Sequence, residues 1–344
     1  FLNIDDQLLR TKYLSFSIAL AGVIQLTWIL FNLKKNKSTL GFEIPKLKMF
    51  IKPSSNIKRF FVLLLPAIIG NGAYQLNLLI DMILASTLPD GSISFLYYSD
   101  RVNQLPLGVL GIAISTALLP ILSKEVKQGK IKQATKSITK AIKFGIFFSV
   151  PSLFGILFLS EEIISFLFYR GAFGVDDVIL TAKALVALGF GLPAFIMIKI
   201  LVVPFFANEN TKTPIKISLF CIAINLILNL ILIGHFLHVG LAIATSVSAW
   251  INMTILIYFL VTYEKYSFDK SIFTLIFKVL LASTMMAIAL YLVMDKGILS
   301  FIGLDLINEN ILLIITIILG LLTYLISSYI IGVEKPYDKK WRQE

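Results

Sequence analysis

Runs of about 20 apolar residues recur along this chain, and they constrain its fold more than any other feature. Hydrophobic residues make up 57% of the 344 residues, and the mean hydropathy is +0.87, whereas soluble domains hold about 45–50% apolar residues. Runs of this length match transmembrane helices and exceed barrel strands. The sequence therefore predicts an all-α, polytopic membrane helix bundle.

About nine of these runs are predicted to cross the bilayer. Three of the longer runs contain Pro66, Pro106 and Pro193. Proline removes a backbone donor and clashes with the preceding turn, so these spans are expected to bend or break. The predicted spans are residues 13–33, 60–87, 93–122, 138–159, 178–206, 214–233, 238–262, 272–294 and 310–332.

Positive charge alternates along the connections between these spans. One alternating set holds 24 of the 31 Lys and Arg residues, the other set holds 4, and three lie inside spans. Because loops rich in Lys and Arg stay in the cytoplasm, the first set is predicted to be cytoplasmic, and with it the C-terminus. The cytoplasmic set consists of residues 34–59, 124–143, 207–216, 263–278 and 333–344.

The basic segment 124–143 has an apolar face. Ile131, Ala134, Ile138 and Ile142 follow a helical spacing, which predicts a helix lying on the membrane surface. Its lysines are interpreted either as contacts for anionic lipids or ligands, or as the signal that fixes the topology. Since the net charge of +11 is concentrated in such loops, membrane lipids are the expected partners and nucleic acid is not.

Motifs of catalysis and energy coupling are absent from the sequence. It contains no GxxxxGK(S/T), GxSxG or HExxH pattern, so neither ATP hydrolysis nor another enzymatic activity is expected. Cys221 is the one cysteine, which excludes a disulfide within the chain. His235 and His238 lie in a short predicted loop and are expected to be structural, since zinc sites usually need three or four ligands.

Residues 93–124 combine a polar first half with an apolar second half that can cross a bilayer. An arginine inside a membrane helix is energetically unfavourable, so Arg101 is predicted to mark a functional site. Its expected partner is a carboxylate on another helix or an anionic substrate, because Asp100, the adjacent residue, points about 100° away. A structural ion pair is the alternative. The polar residues of this half are Tyr97, Tyr98, Asp100, Arg101, Asn103 and Gln104.

A second group of polar residues lies inside predicted spans. Asp81 is surrounded by apolar residues, where a carboxylate has to be neutral, paired or bound to a cation. Gln75 and Asn77 precede it, and Lys199 lies on a later span. Oxygen-bearing side chains here can bind a hard cation such as sodium or form a proton-linked cluster; interhelical hydrogen bonding is the alternative. The later members are Asn225, Asn229 and Thr245.

Three stretches resemble one known family. YYSDRVNQLPLGVLGIAISTALLPILSK, LLPAIIGNGAYQLNLLIDMILAS and FFANENTKTPIKIS are similar to the signature helix, the preceding helix and a later cytoplasmic loop of the MurJ/MviN lipid II flippases. This family belongs to the multidrug/oligosaccharidyl-lipid/polysaccharide exporter superfamily. The resemblance implies that lipid II, a polyprenyl-diphosphate-linked muropeptide, moves from the cytoplasmic to the periplasmic leaflet of the bacterial inner membrane.

The resemblance also implies roles for individual residues. The family's cavity arginine matches Arg101, while Gln104 stands where some members have an acidic residue. A sodium site reported for the family matches Asp81, Asn225, Asn229 and Thr245, although an aspartate at position 229 would bind a cation more strongly than Asn229. Sodium is the expected coupling ion. The residues expected to bind substrate are Arg101, Tyr97, Tyr98, Asp100, Asn103, Gln104 and Lys199.

The family has fourteen core helices in two lobes, and on that count this chain starts just before the sixth. We therefore expect a fragment, working as a monomer within its full protein, with three parts. Residues 1–59 would hold the last helix of the first lobe and a basic linker. Residues 60–262 would hold the transport helices of the second lobe, and residues 263–344 would hold two C-terminal helices and a tail.

Two other functional classes stay open at the level of sequence. A cation-coupled drug antiporter or an O-antigen flippase of the same fold is one, and Arg101 argues against it. A membrane glycosyltransferase is the other, and it would need a cytoplasmic acidic metal motif that the sequence lacks.

Overall fold

The computed structural model describes residues 7–35, 75–264, 266–267, 269–294 and 309–333. Every regular element in these ranges is a helix, so the prediction of an all-α bundle is confirmed. The chain forms two compact units, Phe1–Phe60 and Phe61–Glu344. Pro66 and most of the basic segment 34–59 lie outside the described residues, as does the C-terminal tail after residue 333.

The first unit contributes helix α1, Gln7–Lys35. At a rise of 1.5 Å per residue, its 29 residues extend about 43 Å, which is enough to cross a bilayer. Its apolar window Ser15–Asn32 is 0% buried. The length and apolar composition of α1 are those of a helix that can cross a membrane.

The second unit is a bundle of helices around a large apolar core, with a second, smaller apolar cluster. The longest described helix, α8, has 51 residues, and the helix most enclosed by its neighbours is α6. The elements are α2 Gln75–Ala85, α3 Ser92–Pro106, a π-helix Leu107–Ile112, α4 Ala113–Lys127, α5 Ile131–Phe168, α6 Val175–Leu201, α7 Val203–Ala207, α8 Lys212–Thr262, α9 Ser271–Met294 and α10 Glu309–Ile330.

The described residues contain seven helices that are long and apolar enough to cross a membrane. Two of them are composite, since α3 continues through the π-helix into α4 and α6 continues into α7. The predicted span 60–87 is described from residue 75 onward, as α2. A multi-pass membrane protein is therefore the architecture that this part of the chain forms.

Helix α8 reverses direction and supplies two of the predicted spans. Leu237 has φ 51° and ψ −134°, a conformation that bulky side chains rarely adopt. The Asn225 side chain hydrogen-bonds Thr245 at 3.3 Å, whereas 20 residues of straight helix would separate them by about 30 Å. A Cβ at Gly240 would lie 2.6 Å from the carbonyl oxygen of Leu232, so glycine lets the two halves approach closely. The predicted turn at 234–237 is confirmed.

Of the three prolines singled out in the sequence, Pro106 and Pro193 lie in the described residues, and their effects on the helix differ. After Pro106 the helix widens into a π-helical stretch, a feature often found at functional sites. Helix α6 runs without a break through the buried Pro193, so the break is not at Pro193 itself, and a bend there stays a prediction. The interruption comes at Val202, just before the short helix α7 and its Pro204.

The prediction of a surface helix over 124–143 is also wrong. Helix α4 ends at Lys127, the chain turns at Gly129 with φ 68°, and α5 begins at Ile131. Ala134 and Ile138 are 0% and 1% exposed, so the apolar stripe packs inside the bundle. An amphipathic spacing predicts that one face of the helix is buried, but not by what. Here neighbouring helices bury that face, and lipid does not.

Helix α6 packs against α3, α5 and α8, so its neighbours include the helix that carries Arg101 and the helix that carries Thr245. Small side chains allow close approach, as is common between membrane helices. The Ser246 hydroxyl donates to the carbonyl oxygen of Ala187 at 2.6 Å, and a Cβ at Gly191 would lie 2.7 Å from Ser246 Oγ. The second half of α8 is thus held firmly against α6.

Candidate ion and substrate site

Asp81 lies at the centre of a group of hydrogen-bonded side chains from three helical segments. Its Oδ1 accepts a hydrogen bond from Asn229 Nδ2 at 2.7 Å. Its Oδ2 accepts from Thr245 Oγ1 and from Asn77 Nδ2, both at 3.3 Å. Asn77 lies one helical turn before Asp81 on α2, whereas Asn229 and Thr245 lie on opposite halves of α8. We call Asp81, Asn77, Asn225, Asn229 and Thr245 the Asp81 cluster.

Asn225 completes the Asp81 cluster. Its Oδ1 accepts from Asn229 Nδ2 at 3.0 Å, and its Nδ2 donates to Thr245 Oγ1 at 3.3 Å. Asn225 and Asn229 are 2% and 0% exposed, and Asn229 Oδ1 is buried without a hydrogen-bond partner among the described residues. The four residues that the sequence singled out as a cation site are therefore neighbours. Asn77, which the sequence pattern groups with Asp81 but which is not part of the sodium site implied by the resemblance, also contacts Asp81, one helical turn away.

The Asp81 cluster has the chemistry of a site for a small monovalent cation. Hard cations prefer oxygen ligands, and the cluster offers a carboxylate, amide carbonyls and a hydroxyl. Asn229 Oδ1 is a buried acceptor without a donor, which is the kind of atom that a cation can satisfy. A single carboxylate balances a single positive charge. The residues present thus fit the sodium ion that the family resemblance implies.

Arg101 lies on α3 with its side chain exposed. Its guanidinium carbon is 4.8 Å from the ring centroid of Tyr97, a cation–π contact, and its Nη1 donates to Gln104 Oε1 at 3.3 Å. Gln104 Nε2 donates in turn to Asp100 Oδ2. Gln104 therefore links Asp100 and Arg101 on α3 through two hydrogen bonds.

The two tyrosines of α3 have different surroundings. Tyr97 is 46% exposed and lies beside Arg101. Tyr98 is half-buried, and its ring centroid lies 4.5 Å from that of Phe168 and 5.5 Å from that of Phe173. Tyr98 thus fastens α3 to the connection between α5 and α6, while Tyr97 presents a ring at the exposed face.

The other two residues predicted to bind substrate are Asn103 on α3 and Lys199 on α6. Asn103 is 2% exposed, and its Oδ1 has no hydrogen-bond partner within the described part of the chain. Lys199 is exposed on α6, and its aliphatic stem passes the π-helix, since a Cβ at Gly111 would lie 3.4 Å from Lys199 Cγ. Contact of either residue with substrate stays a prediction.

A second polar group, which the sequence did not reveal, joins two connections at one end of the bundle. Glu264 accepts from Asn208 Nδ2 and Asn210 Nδ2, each at 2.9 Å. Asn208 Nδ2 also reaches the Tyr266 hydroxyl at 3.4 Å. Burial raises the pKa of Tyr266 above its ordinary value, helped by the nearby carboxylates of Glu264 and Glu125. These four residues, Asn208, Asn210, Glu264 and Tyr266, form the Glu264 cluster.

The histidines and the cysteine have no part in the Asp81 cluster. His238 is buried at the turn of α8, with Nε2 at 3.0 Å from the carbonyl oxygen of Leu180 and its ring 5.3 Å from that of Phe95. His235 is exposed, and Cys221 is buried as a free thiol. The contacts of His238 support the structural role expected for it.

Comparison with known proteins gives consistent matches along the chain. The profile of the family "Lipid II flippase MurJ" matches residues 1–303. A probable lipid II flippase MurJ of Rickettsia prowazekii is 36% identical over 323 residues, which is 94% of this chain and 62% of that protein. Another from Rhizobium meliloti is 36% identical over 82% of this chain and 51% of that protein. The chain thus spans less than two thirds of the length of these relatives.

Comparison with solved structures also finds a lipid II flippase MurJ. A lipid II flippase MurJ in an inward closed conformation matches with a TM-score of 0.67 and 29% identity, over 88% of this chain and 59% of the other. An outward-facing multidrug resistance MATE transporter of the MOP superfamily matches with a TM-score of 0.52 at 16% identity, a likeness of fold alone. The family profile covers most of the chain, and on that ground this protein belongs to the lipid II flippase MurJ family.

Proposed function

We propose that this chain forms the substrate-bearing second lobe of a flippase that moves lipid II across the bacterial inner membrane. Its relatives carry the name lipid II flippase, and the direction of movement would be from the cytoplasmic to the periplasmic leaflet. Because the chain spans less than two thirds of those relatives, the activity is proposed for the full-length protein. The C-terminus would be cytoplasmic and the working unit a monomer.

The observation that carries this proposal is the exposed Arg101 on a membrane helix. A diphosphate cannot cross hydrocarbon unaided, because its charges lose their hydration. A guanidinium replaces part of that hydration with two parallel hydrogen bonds to phosphate oxygens. The exposed ring of Tyr97 beside Arg101 offers a surface for a sugar. Alternating access would then come from one lobe rocking against the other, with no covalent chemistry and no enzymatic step.

A sodium ion at the Asp81 cluster is the coupling ion that we propose. The cluster joins α2 to both halves of α8, so an ion there would stabilise one arrangement of these helices over another. Asp81 would supply the charge, and Asn225, Asn229 and Thr245 would supply neutral oxygens. Such differential binding is what a coupling ion needs in order to shift a conformational equilibrium.

The test is translocation of lipid II by the full-length protein carrying Arg101→Ala or Arg101→Lys. A charge-assisted hydrogen bond contributes about 1.5–3 kcal/mol, so losing two should slow translocation by about two orders of magnitude or more. Arg101→Lys should rescue only part of the rate, because a point charge lacks the planar fork. The amount of folded protein in the membrane is measured alongside. Normal translocation per folded molecule in Arg101→Ala would refute the substrate role.

A further inference from the structure

A row of charged side chains connects the Asp81 cluster with the exposed Arg101. Because α3 and α8 pack against each other, the Asp81 and Asp100 carboxylates are expected to repel each other through space, and Arg101 attracts the Asp100 carboxylate. Helix α3, which carries Asp100 and Arg101, packs against α8, which carries three members of the Asp81 cluster. Asp100 is therefore the charged group that acts on both the cation site and the proposed anion site.

Gln104 links Asp100 mechanically to Arg101. Its amide nitrogen donates to Asp100 Oδ2, and its amide oxygen accepts from Arg101 Nη1 at 3.3 Å. Because one planar amide makes both contacts, a rotation that breaks one also breaks the other. The position of the Arg101 guanidinium thus depends on where the Asp100 carboxylate lies.

The charges of Asp81, Asp100 and Arg101 determine whether a cation strengthens or weakens anion binding. Without a cation, two carboxylates, Asp81 and Asp100, act on one guanidinium and compete with any anionic ligand for it. A cation at Asp81 cancels one of these charges and ends the repulsion that Asp100 experiences. Charges inside a membrane protein are weakly screened, so the effect reaches beyond contact distance. Arg101 then becomes more available to an anion.

We propose that Asp100 couples the two sites: a monovalent cation at Asp81 strengthens binding of a diphosphate at Arg101, and Asp100, acting through Gln104, is the positioning residue that transmits the effect. The proposal rests on the proposed function and adds the means by which ion and substrate sense each other. By thermodynamic linkage, the diphosphate must strengthen cation binding by the same factor.

The reciprocal effect is the one to measure. The full-length protein in detergent is titrated with sodium chloride against choline chloride at constant ionic strength, and the sodium affinity is read from the rise in Tm. The titration is repeated with saturating farnesyl diphosphate as the anionic probe. In the wild type, the probe should lower the apparent Kd for sodium by about fivefold or more. In Asp100→Asn this factor should fall to about one.

Two further variants make the result specific. Asp90→Asn makes the same chemical change in an exposed turn and should keep the wild-type coupling factor. Gln104→Met leaves the Asp100 charge but removes the hydrogen bonds that link it to Arg101, so this variant should lose the coupling. If Asp100→Asn fails to fold, Gln104→Met provides the test of the proposal. Absence of coupling in the wild type, or its persistence in Asp100→Asn or Gln104→Met, would overturn the proposal.

Measurement of translocation separates this proposal from the flippase function. Lipid II translocation without any sodium–diphosphate coupling overturns the role of Asp100 and leaves the function standing. Coupling in a protein that does not translocate lipid II overturns the function alone.

Discussion

Asn229 donates a 2.7 Å hydrogen bond to the Asp81 carboxylate across 148 positions of sequence. The bond joins α2 to the first half of α8, and Thr245 joins the same carboxylate to the second half. One charged group thus holds three helical segments together through neutral donors. Among the described residues its hydrogen-bond partners are the neutral side chains of Asn77, Asn229 and Thr245, which leaves the carboxylate suited to a cation.

Asp81→Asn is expected to abolish sodium-dependent stabilisation. A ligand that binds the folded state at ten times its Kd stabilises by about 1.4 kcal/mol, so the wild-type Tm should rise with sodium. The amide has no charge to balance the ion, so the Tm of the variant should be the same in sodium and in choline. The measurement is thermal unfolding of the full-length protein in detergent, with Asp90→Asn as the matched control. An unchanged sodium response in Asp81→Asn would leave the cluster a structural role only.

The membrane-spanning segments could be predicted because a bilayer of fixed thickness requires apolar runs of about 20 residues. Lys and Arg are then enriched in the cytoplasmic connections between them. The apolar runs 214–233 and 238–262 correspond to the two halves of α8, even though only four residues separate them. The members of the Asp81 cluster were predictable for a related reason. Asp81, Asn225 and Thr245 lie in apolar surroundings, and buried polar groups need hydrogen-bond partners.

Features that depend on which helix packs against a given side chain could not be predicted from the sequence. The apolar stripe through Ala134 and Ile138 is compatible with contact to lipid or to other helices. The packing of α5 in the bundle shows that it contacts other helices. The Glu264 cluster joins residues more than 50 positions apart, and neither connection carries a periodic signal. Tyr97 and Tyr98 are adjacent in sequence, and the position of Phe168 determines which of them is packed.

The topology can be tested by labelling single cysteines in intact cells. Cys221 is 5% exposed and buried in α8, so Cys221→Ala gives a background without a native thiol. Gln128→Cys, in the turn between α4 and α5, should resist a membrane-impermeant thiol reagent until the cells are opened. Asp90→Cys, in the turn before α3, should react at once, because the connections rich in Lys and Arg stay inside. The reverse pattern would invert the orientation.

The Glu264 cluster should make stability fall at alkaline pH. Burial raises the pKa of Tyr266 above its unfolded value of about 10. The folded state therefore holds this proton more tightly, and the associated stability is complete below pH about 10 and is lost as the pH rises beyond it. Tyr266→Phe should flatten the fall in Tm between pH 9 and 11. Tyr263→Phe, a change at a tyrosine that is 65% exposed, should leave the slope as it is; equal slopes for all three proteins would contradict the prediction.

Tyr97 and Tyr98 allow packing and substrate contact to be separated by the same substitution at adjacent positions. Tyr98→Ala removes the ring that contacts Phe168 and Phe173, and loss of a packed aromatic side chain usually destabilises by about 3–5 kcal/mol. Because Tyr98 is only half-buried, we expect a value toward the lower end, seen as a lower Tm and less folded protein in the membrane.

Tyr97→Ala should behave in the opposite way. The side chain is 46% exposed, so the Tm should change little, but Arg101 loses the ring beside its guanidinium and the proposed sugar-binding surface disappears. Translocation of lipid II per folded molecule should therefore fall several-fold, and Tyr97→Phe should restore it, because the phenyl ring keeps both the cation–π contact and the stacking face. A loss of Tm in Tyr97→Ala with normal translocation per folded molecule would assign Tyr97 to packing. Such a result would remove the sugar contact from the proposal and leave Arg101 as its diphosphate partner.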